Sequence, residues 1–318
     1  MKFRKKTVLA ALLGGLICAL TILFLVWIAP PQPSASKQRD VELTQRITGS
    51  LDTPYDLTIN GTLPGDQLRA FISLDARNRH ATINSLQLPG NLESLYIDEK
   101  KKLAYLANSY SGLQIVDISD PLQLRLRGSL PDIGTAWDLV VQDSVLYLAS
   151  AQSGLYLIDI RSAENPSIIS HLSFKNQSIL KLAVSNQTVY ASTGTKGLLV
   201  IDITDLTSPR LVNTLYAKSG AWGLLTEQNR MYLSCGKYRL EILDLSSPEN
   251  PRKIGELAMP GIVWNMRIVE NVLYLPIPSK ALQLIDVSNA YQPKRLESSI
   301  NLMHPNGIDL HQNRAYIL

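Results

Sequence analysis

The chain has 318 residues, of which 45% are hydrophobic and 18% charged, a composition typical of a globular protein and not of a disordered one. The formal net charge is +4. Lys2, Arg4, Lys5 and Lys6 account for all of it, because the other 27 basic residues match the 27 acidic ones. The body of the chain is therefore neutral, which excludes the broad basic surface of a nucleic-acid-binding protein.

A long uncharged run follows this basic tail. Residues 7–29 contain no charged side chain, and a helix of that length crosses a bilayer. Two prolines follow directly, and the run is longer than the apolar core of a secretory signal, so the pattern favours an uncleaved transmembrane signal anchor. A cleaved signal peptide is the alternative. Because basic flanks stay in the cytoplasm, residues 1–6 are predicted there and the body outside it, in the periplasm or at the cell surface.

The next two segments carry weaker signals. Residues 30–46 are rich in proline and polar residues, which is typical of a spacer. Within residues 47–88, two apolar stretches flank an Asn60-Gly61 turn and predict strands. The residues leave open whether this segment is a degenerate repeat or a small β module, and we expect its last stretch, 86–88, to belong with the repeats that follow.

One block recurs through the rest of the chain. It first occurs as Gly-Leu-Gln-Ile-Val-Asp-Ile-Ser-Asp-Pro at residues 112–121, and four further copies follow. An aspartate closes each apolar run, and successive aspartates lie 42 or 43 residues apart, at Asp117, Asp159, Asp202, Asp244 and Asp286. A tyrosine recurs with the same spacing, at Tyr105, Tyr147, Tyr190, Tyr232, Tyr274 and Tyr316. A fixed period of this size indicates a repeat architecture.

Each period contains four short apolar stretches separated by polar turns, the pattern of one β-propeller blade. Enrichment in Val, Ile, Tyr and Thr, without a helical stripe, disfavours a helical repeat. The sequence therefore predicts an all-β fold: a β-propeller of six or seven blades over residues 89–318, preceded by the transmembrane helix. Because the strand with Tyr316 is not followed by another aspartate strand, we expect this sequence to be part of a longer protein.

The repeated Leu-x-Ile-Val-Asp-Ile-Ser-Asp-Pro block resembles the LVIVD-repeat proteins of bacterial and archaeal surfaces. The resemblance covers residues 89–318. It implies a β-propeller exposed outside the cytoplasm, often joined to other surface modules, and it transfers no established catalytic residues. The pattern is broken at Leu124, at 161–163 and at 289–291, which affects connections and not strands.

The repeated aspartates could bind metal or cap turns. Asp-x-x-Asp pairs occur in the copies of Asp117 and Asp202, but the other three copies lack the second carboxylate. We therefore predict that all five aspartates accept backbone N–H groups in turns, and we predict no metal site and no cofactor. The four histidines share no position in the repeat and show no metal-ligand spacing.

Three of the four tryptophans share one position, ten residues before the tyrosine, which we call the mouth position: Trp137, Trp222 and Trp264. In a propeller this position begins the channel-lining strand, so the rings are expected at one mouth of the channel. The first interpretation is packing between blades. The second is an aromatic ligand-binding surface, with Asp138, Lys181 and Asn265 supplying polar groups.

These features predict a membrane-anchored, extracytoplasmic binding or scaffold module for a protein or glycan partner. A propeller hydrolase or lyase acting on saccharides or lactones is an alternative. It is disfavoured because residues near the mouth are mostly Trp, Leu, Ala and Gly, whereas an enzyme needs converging titratable groups. A structural surface-layer or adhesion component is the third interpretation.

Overall fold

The structure is a computed structural model. It describes residues 86–296 except 121, 217, 218, 237, 279 and 280, with only the backbone at 281, and also the backbone of the strands within 45–85 and 308–317. The predicted tail and membrane segment, residues 1–29, lie outside the described residues. Among the residues that are described, no helix is long and apolar enough to span a membrane.

The described elements are all β-strands. The N-terminal sheet consists of β1 (Gln45–Ile47), β2 (Tyr55–Asn60), β3 (Leu68–Asp75) and β4 (His80–Leu88). Our expectation that residues 86–88 belong with the following repeats is wrong, because Leu86 and Leu88 pair with Ala70 and Leu68 of β3. The pairing with β3 continues to the last residue of β4, which places this stretch in the N-terminal sheet as its edge strand.

Five four-stranded sheets follow, each an antiparallel meander in chain order, which we call blades 1 to 5. Blade 1 comprises β5 (Ser94–Asp98), β6 (Leu103–Ala107), β7 (Leu113–Asp117) and β8 (Arg125–Leu130). Blade 2 comprises β9 (Ala136–Gln142), β10 (Val145–Ser150), β11 (Gly154–Asp159) and β12 (Ser167–Leu172). Blade 3 comprises β13 (Lys181–Ser185), β14 (Thr188–Ser192), β15 (Leu198–Asp202) and β16 (Arg210–Leu215).

Blade 4 comprises β17 (Ala221–Glu227), β18 (Arg230–Cys235), β19 (Arg239–Asp244) and β20 (Arg252–Ala258). Blade 5 comprises β21 (Arg267–Val269), β22 (Val272–Ile277), β23 (Ala281–Asp286) and β24 (Lys294–Arg295). A hairpin of β25 (Ile308–His311) and β26 (Arg314–Ile317) follows. The predicted four-stranded repeat is confirmed.

The core lies between blades. Strands of the Leu-x-Ile-Val-Asp type are apolar on both faces, and four apolar clusters among the described residues each combine residues of two neighbouring blades. Tyr105 and Tyr190 are fully buried in two of these clusters. Each such buried side chain stabilises the fold by about 1.5–3 kcal/mol, so stacking of blades, and not any one sheet, holds the domain together.

A second joint between blades lies on their outer strands. One register position of the fourth strand holds Gly128, Ser170, Asn213 and Gly255 in blades 1 to 4. The Ser170 hydroxyl and the Asn213 amide donate to carbonyl oxygens of the next blade, at 2.6 and 3.0 Å. At Gly255 an added Cβ would lie 1.9 Å from the Ala290 carbonyl oxygen, so only glycine fits.

The innermost strands of the five blades line a central channel. We call the end at which these strands begin the upper face, and the opposite end the lower face. The upper face carries the connections between blades and the turns between second and third strands. The lower face carries the turns between first and second strands and the connections between third and fourth strands.

One innermost strand is shorter than predicted. The pattern predicts a strand over 264–268, but β21 begins at Arg267 and leaves Trp264 and Asn265 before it. In blade 2 the equivalent ladder continues through the pair Asp138 and Ala149. Pro276 replaces that alanine in blade 5, and proline has no N–H to donate, so the ladder stops earlier.

Candidate functional site

The channel contains a cavity of about 360 Å³. Its wall is mostly apolar and comes from the innermost strand of every blade. At one level the wall consists of the residues that pair with the repeated tyrosines: Tyr96, Val140, Ala183, Leu225 and Arg267. Such a concave surface with few polar groups has the general character of a binding site.

A buried polar network joins three blades above this level. The Ser94 hydroxyl donates to Asp138 Oδ1 at 2.9 Å, and the Leu182 amide donates to Oδ2 at 2.8 Å. Lys181 Nζ lies 3.6 Å from Asp138 Oδ1, and the two side chains are 7% and 8% exposed. Since a buried charge needs partners, these contacts satisfy Asp138 within the protein and tie blades 1, 2 and 3 together.

The polar residues singled out from the sequence all reach this cavity. Asp138, Lys181 and Asn265 line it, although their residues are only 6%, 6% and 5% exposed. The structure therefore brings the three together, with Asp138 and Lys181 directed at each other. Their role toward a ligand stays a prediction.

The three tryptophans are half-buried at the upper end of the channel. The rings of Trp222 and Trp264 form an edge-to-face pair, with centroids 5.4 Å apart and an interplanar angle of 80°. Trp222 also lies against Gly194 of the preceding blade, where an added Cβ would be 3.0 Å from the ring. Trp264 additionally lines the cavity.

Two of these tryptophans occupy register shifts. In blade 2 the ladder passes from Asp138 to Ala136 and skips Trp137. In blade 4 it passes from Leu224 to Ala221 and skips Trp222. A bulge directs a side chain away from the regular alternation, and bulges are frequent next to functional sites. The local backbone therefore turns both rings toward the upper face.

A further mouth-position residue was not identified from the sequence. Ser94 pairs with Ala107 as Asp138 pairs with Ala149, so Glu93 takes the place of Trp137 in blade 1. Burial raises the pKa of this carboxyl to about 7, and the nearby Lys181 ammonium opposes the rise. The hairpin after β5 is two residues longer than the equivalent hairpin of the other blades. Counting ten residues back from Tyr105 therefore does not reach Glu93.

The repeated aspartates lie on the lower face. Each carboxylate accepts the amide N–H of the residue two positions ahead, at 2.8–2.9 Å: Ser119, Arg161, Thr204, Ser246 and Ser288. Asp120 and Asp205 make the same turn with Leu122 and Thr207. This geometry is that of turn caps. No group of three His, Cys, Asp or Glu in the described part of the chain could hold a metal ion.

The hydrogen bonds of these turns lower the pKa values of Asp202 and Asp244. The pKa of Asp202 is lowered to about 2, first by the hydroxyl and amide of Thr204 and then by Arg210, whose guanidinium lies 2.6 Å away. The pKa of Asp244 is lowered for the same reason, by Ser246. Both carboxylates are thus held ionised by their turns.

Comparison with known proteins gives the same fold. The model of the LVIVD repeat matches residues 100–132, 133–176 and 180–216. The WD40 β-propeller domain of Doa1 is similar with a TM-score of 0.60 and 13% identity, covering 86% of this chain and 88% of that one. The computationally designed protein Ika8 is similar with a TM-score of 0.59 and 10% identity, covering 88% and 85%.

A third similar structure is a complex. Sqt1 of Chaetomium thermophilum, bound to the N-terminus of the ribosomal protein L10, has a TM-score of 0.57 and 9% identity, covering 84% of this chain and 73% of that one. At these identities the likeness concerns the fold. The search among curated proteins finds no match.

Proposed function

Because this chain is an LVIVD-repeat β-propeller, we propose that it is a binding or scaffold module whose ligand face is the upper face. The partner is a protein or a glycan. The module is held at a membrane by residues 7–29 and works outside the cytoplasm. Asp138, Lys181 and Asn265 shape the floor of the site beneath the tryptophans.

The observation that carries this proposal is the tryptophan pair. Trp222 and Trp264 meet edge to face at 5.4 Å, half-buried, above a channel of about 360 Å³. A packing tryptophan loses its exposure, whereas these rings keep part of it. Aromatic rings that are anchored yet accessible supply much of the binding energy at interfaces and stack on sugar rings and peptide side chains.

The channel chemistry favours binding over catalysis. Asp138 and Lys181 pair with each other at 3.6 Å, and both are buried. A hydrolase or lyase requires acid and base groups that converge on an open position where substrate can sit. The propeller of Sqt1, bound to a protein N-terminus, offers a precedent for a fold of this kind that receives a polypeptide.

The test uses the full-length chain in mild detergent, probed with a phage-displayed library of random peptides and with a glycan array. Retained probes are then measured against Trp264→Ala and Trp137→Ala. We expect affinity to fall about tenfold or more in both variants, with the melting temperature of Trp137→Ala within about 2 °C of the parent. If no retained probe depends on Trp137, Trp222 or Trp264, the upper face is not the ligand face.

The membrane part of the proposal has its own experiment. An uncleaved anchor keeps the protein in the membrane fraction with Met1 or its processed neighbour as the N-terminus. Carbonate extraction followed by N-terminal sequencing of the mature chain distinguishes this from a cleaved signal. A mature N-terminus between Pro30 and Lys37 would contradict the anchor.

A further inference from the structure

The Glu93 carboxyl at the mouth of the channel has no hydrogen-bond partner among the residues that the structure describes. The residue is half-buried, and its backbone is fixed because its amide donates to the Ala107 carbonyl at 2.9 Å. Among the described residues, the charged group that acts on its pKa is Lys181, on blade 3. A half-buried carboxyl has lost part of its hydration, and without a hydrogen bond only a nearby cation compensates for that loss.

The two described cations that line the cavity have other partners. Lys181 Nζ lies 3.6 Å from Asp138 Oδ1, so one ammonium serves two carboxyl groups, and the three residues carry one net negative charge when Glu93 is ionised. Arg267 lies at the level of the repeated tyrosines, three residues or roughly 10 Å deeper than the mouth position. Its guanidinium donates to the Met266 carbonyl at 3.2 Å. An ionised Glu93 therefore leaves the mouth short of positive charge.

The other described charged groups of the upper connections lie outside the mouth. Asp132, Lys175 and Lys196 are exposed to solvent. Arg239 and Glu256, further out on blade 4, pair with each other at 3.3 Å. Salt screens exposed charges beyond about 10 Å, so these groups act weakly on a half-buried carboxyl. The charge balance at the mouth is therefore local, and a count over the whole face does not decide it.

The tryptophan rings at the same mouth suit a cation. Trp222 and Trp264 are half-buried and stand at 80°, with centroids 5.4 Å apart. Trp264 lines the cavity that Ser94, the chain neighbour of Glu93, also lines. The negative face of an indole attracts a cation within about 6 Å of the ring. Two nearly perpendicular rings enclose a corner that fits the round end of an ammonium group, whereas a planar guanidinium stacks flat on a single face.

We propose that the mouth of the channel binds the ammonium group of a lysine side chain from a protein partner, between the Glu93 carboxylate and the rings of Trp222 and Trp264. This inference rests on the proposed function and names the chemical group that its partner presents. A lysine suits a recessed carboxyl, because its flexible four-carbon stem reaches inward while its own backbone stays outside the mouth. Trp137, at the mouth position of the blade next to Glu93, flanks the stem.

The test selects peptides from a synthetic N-acetylated random library on the full-length chain in mild detergent, and fluorescence anisotropy measures their affinities. We expect the retained peptides to be enriched in lysine. Acetylation of that lysine should weaken binding about tenfold or more, because it removes the charge. Glu93→Gln keeps the shape of the side chain and should weaken binding about tenfold near pH 8. Asp132→Asn removes an exposed carboxyl of the same face and is the matched control, with an expected change of less than about twofold.

The pH dependence of binding is a readout that a purely structural role of Glu93 would not change. Burial raises the pKa of this carboxyl to about 7, and the Lys181 ammonium opposes the rise. Only the ionised carboxylate attracts the ammonium of the peptide. Affinity should therefore fall about tenfold or more between about pH 8 and about pH 5.5, and Glu93→Gln should abolish this fall. Asp132→Asn should keep it.

Four results would overturn the inference, and they separate it from the proposed function. Peptides that require Trp264 but neither a lysine nor Glu93 leave the binding module intact and remove the lysine partner. Tetramethylammonium that binds through Glu93 and Trp264, with no lysine-dependent peptide retained, shows a free quaternary amine as the ligand instead. Retained peptides indifferent to Glu93 and to all three tryptophans contradict the proposed function itself. A library from which nothing is retained counts against both.

Discussion

The two faces of the propeller use the repeat differently. On the lower face, all five copies place an aspartate at one position and close it with the same hydrogen bond at 2.8–2.9 Å. On the upper face, the mouth position holds a glutamate, a tryptophan, a leucine and two tryptophans in blades 1 to 5. The uniform aspartate closes a turn that every blade needs in order to fold, whereas no single residue type is required at the mouth position.

The outer joint between blades 4 and 5 is the tightest of these contacts, so it gives the largest expected effect. Gly255→Ala places a Cβ 1.9 Å from the Ala290 carbonyl oxygen and must push blade 5 away. We expect a loss of about 3 kcal/mol in the free energy of unfolding, measured by urea denaturation.

A glycine on the upper face is the control for this variant. Gly236 has a positive φ of 55°, but an added Cβ would meet nothing closer than 3.9 Å. Gly236→Ala should therefore cost only about 1 kcal/mol, from backbone strain alone. Equal losses for the two variants would mean that the outer joint is not tight.

Trp222 tests the upper face, because its ring packs against neighbouring residues and is also partly exposed to solvent. Trp222→Ala removes contacts with Gly194 and with the Trp264 ring. We expect a loss of about 2 kcal/mol, less than for a fully buried tryptophan because part of the residue stays exposed to solvent. Urea unfolding followed by circular dichroism measures it, with Trp222→Phe as the milder partner. Unchanged stability would remove Trp222 from the packing of blades 3 to 5.

A repeat aspartate tests the lower face. Asp202→Asn keeps an acceptor for the Thr204 amide but loses the charge that pairs with Arg210, so we expect a loss of about 1 kcal/mol at pH 7. Neither EDTA nor calcium should shift the melting temperature. Asp143→Asn, in an exposed turn of the same face, is the control and should be neutral. A chelator-induced drop of several degrees would indicate a metal site instead.

The pH dependence of this variant follows from the sign of its pKa shift. The folded pKa of Asp202, about 2, lies below the ordinary value of about 3.9, so the carboxylate stabilises the fold above pH 4. That contribution is lost as the pH falls from about 4 to 2. The difference in stability between Asp202→Asn and the parent protein should therefore shrink over this range.

The pKa shift of Glu93 has the opposite sign. Its folded pKa, about 7, lies above the ordinary value of about 4.3, because burial penalises the charged form. The neutral carboxyl favours folding below pH 4.3, and this advantage is lost as the pH rises to about 7. Glu93→Gln should flatten the stability profile between these values in thermal melts at successive pH. An unaltered profile would mean that the Glu93 carboxyl is solvated.

The sequence anticipated what is local and periodic. Strands, hairpins and aspartate turns depend on residues within one repeat, so a period of 42 reveals them. The contacts between blades could not be predicted from the repeat spacing. The Asp138 carboxylate accepts hydrogen bonds from Ser94 and Leu182, which are each 44 residues away on a neighbouring blade. The longer hairpin after β5 shifts Glu93 out of the repeat spacing, so the spacing did not identify it. Pro276 replaces an alanine of the repeat, so the repeat pattern predicted β21 as longer than it is.

Amide hydrogen exchange with a bound peptide tests the separation of the two faces most directly. The full-length chain in detergent is compared with and without a saturating peptide selected from the random library. The account predicts slower exchange in the upper segments 108–112, 131–137 and 259–266, with no change in the lower connections 118–124 and 160–166. Protection of the lower connections while the upper segments exchange as before would contradict it.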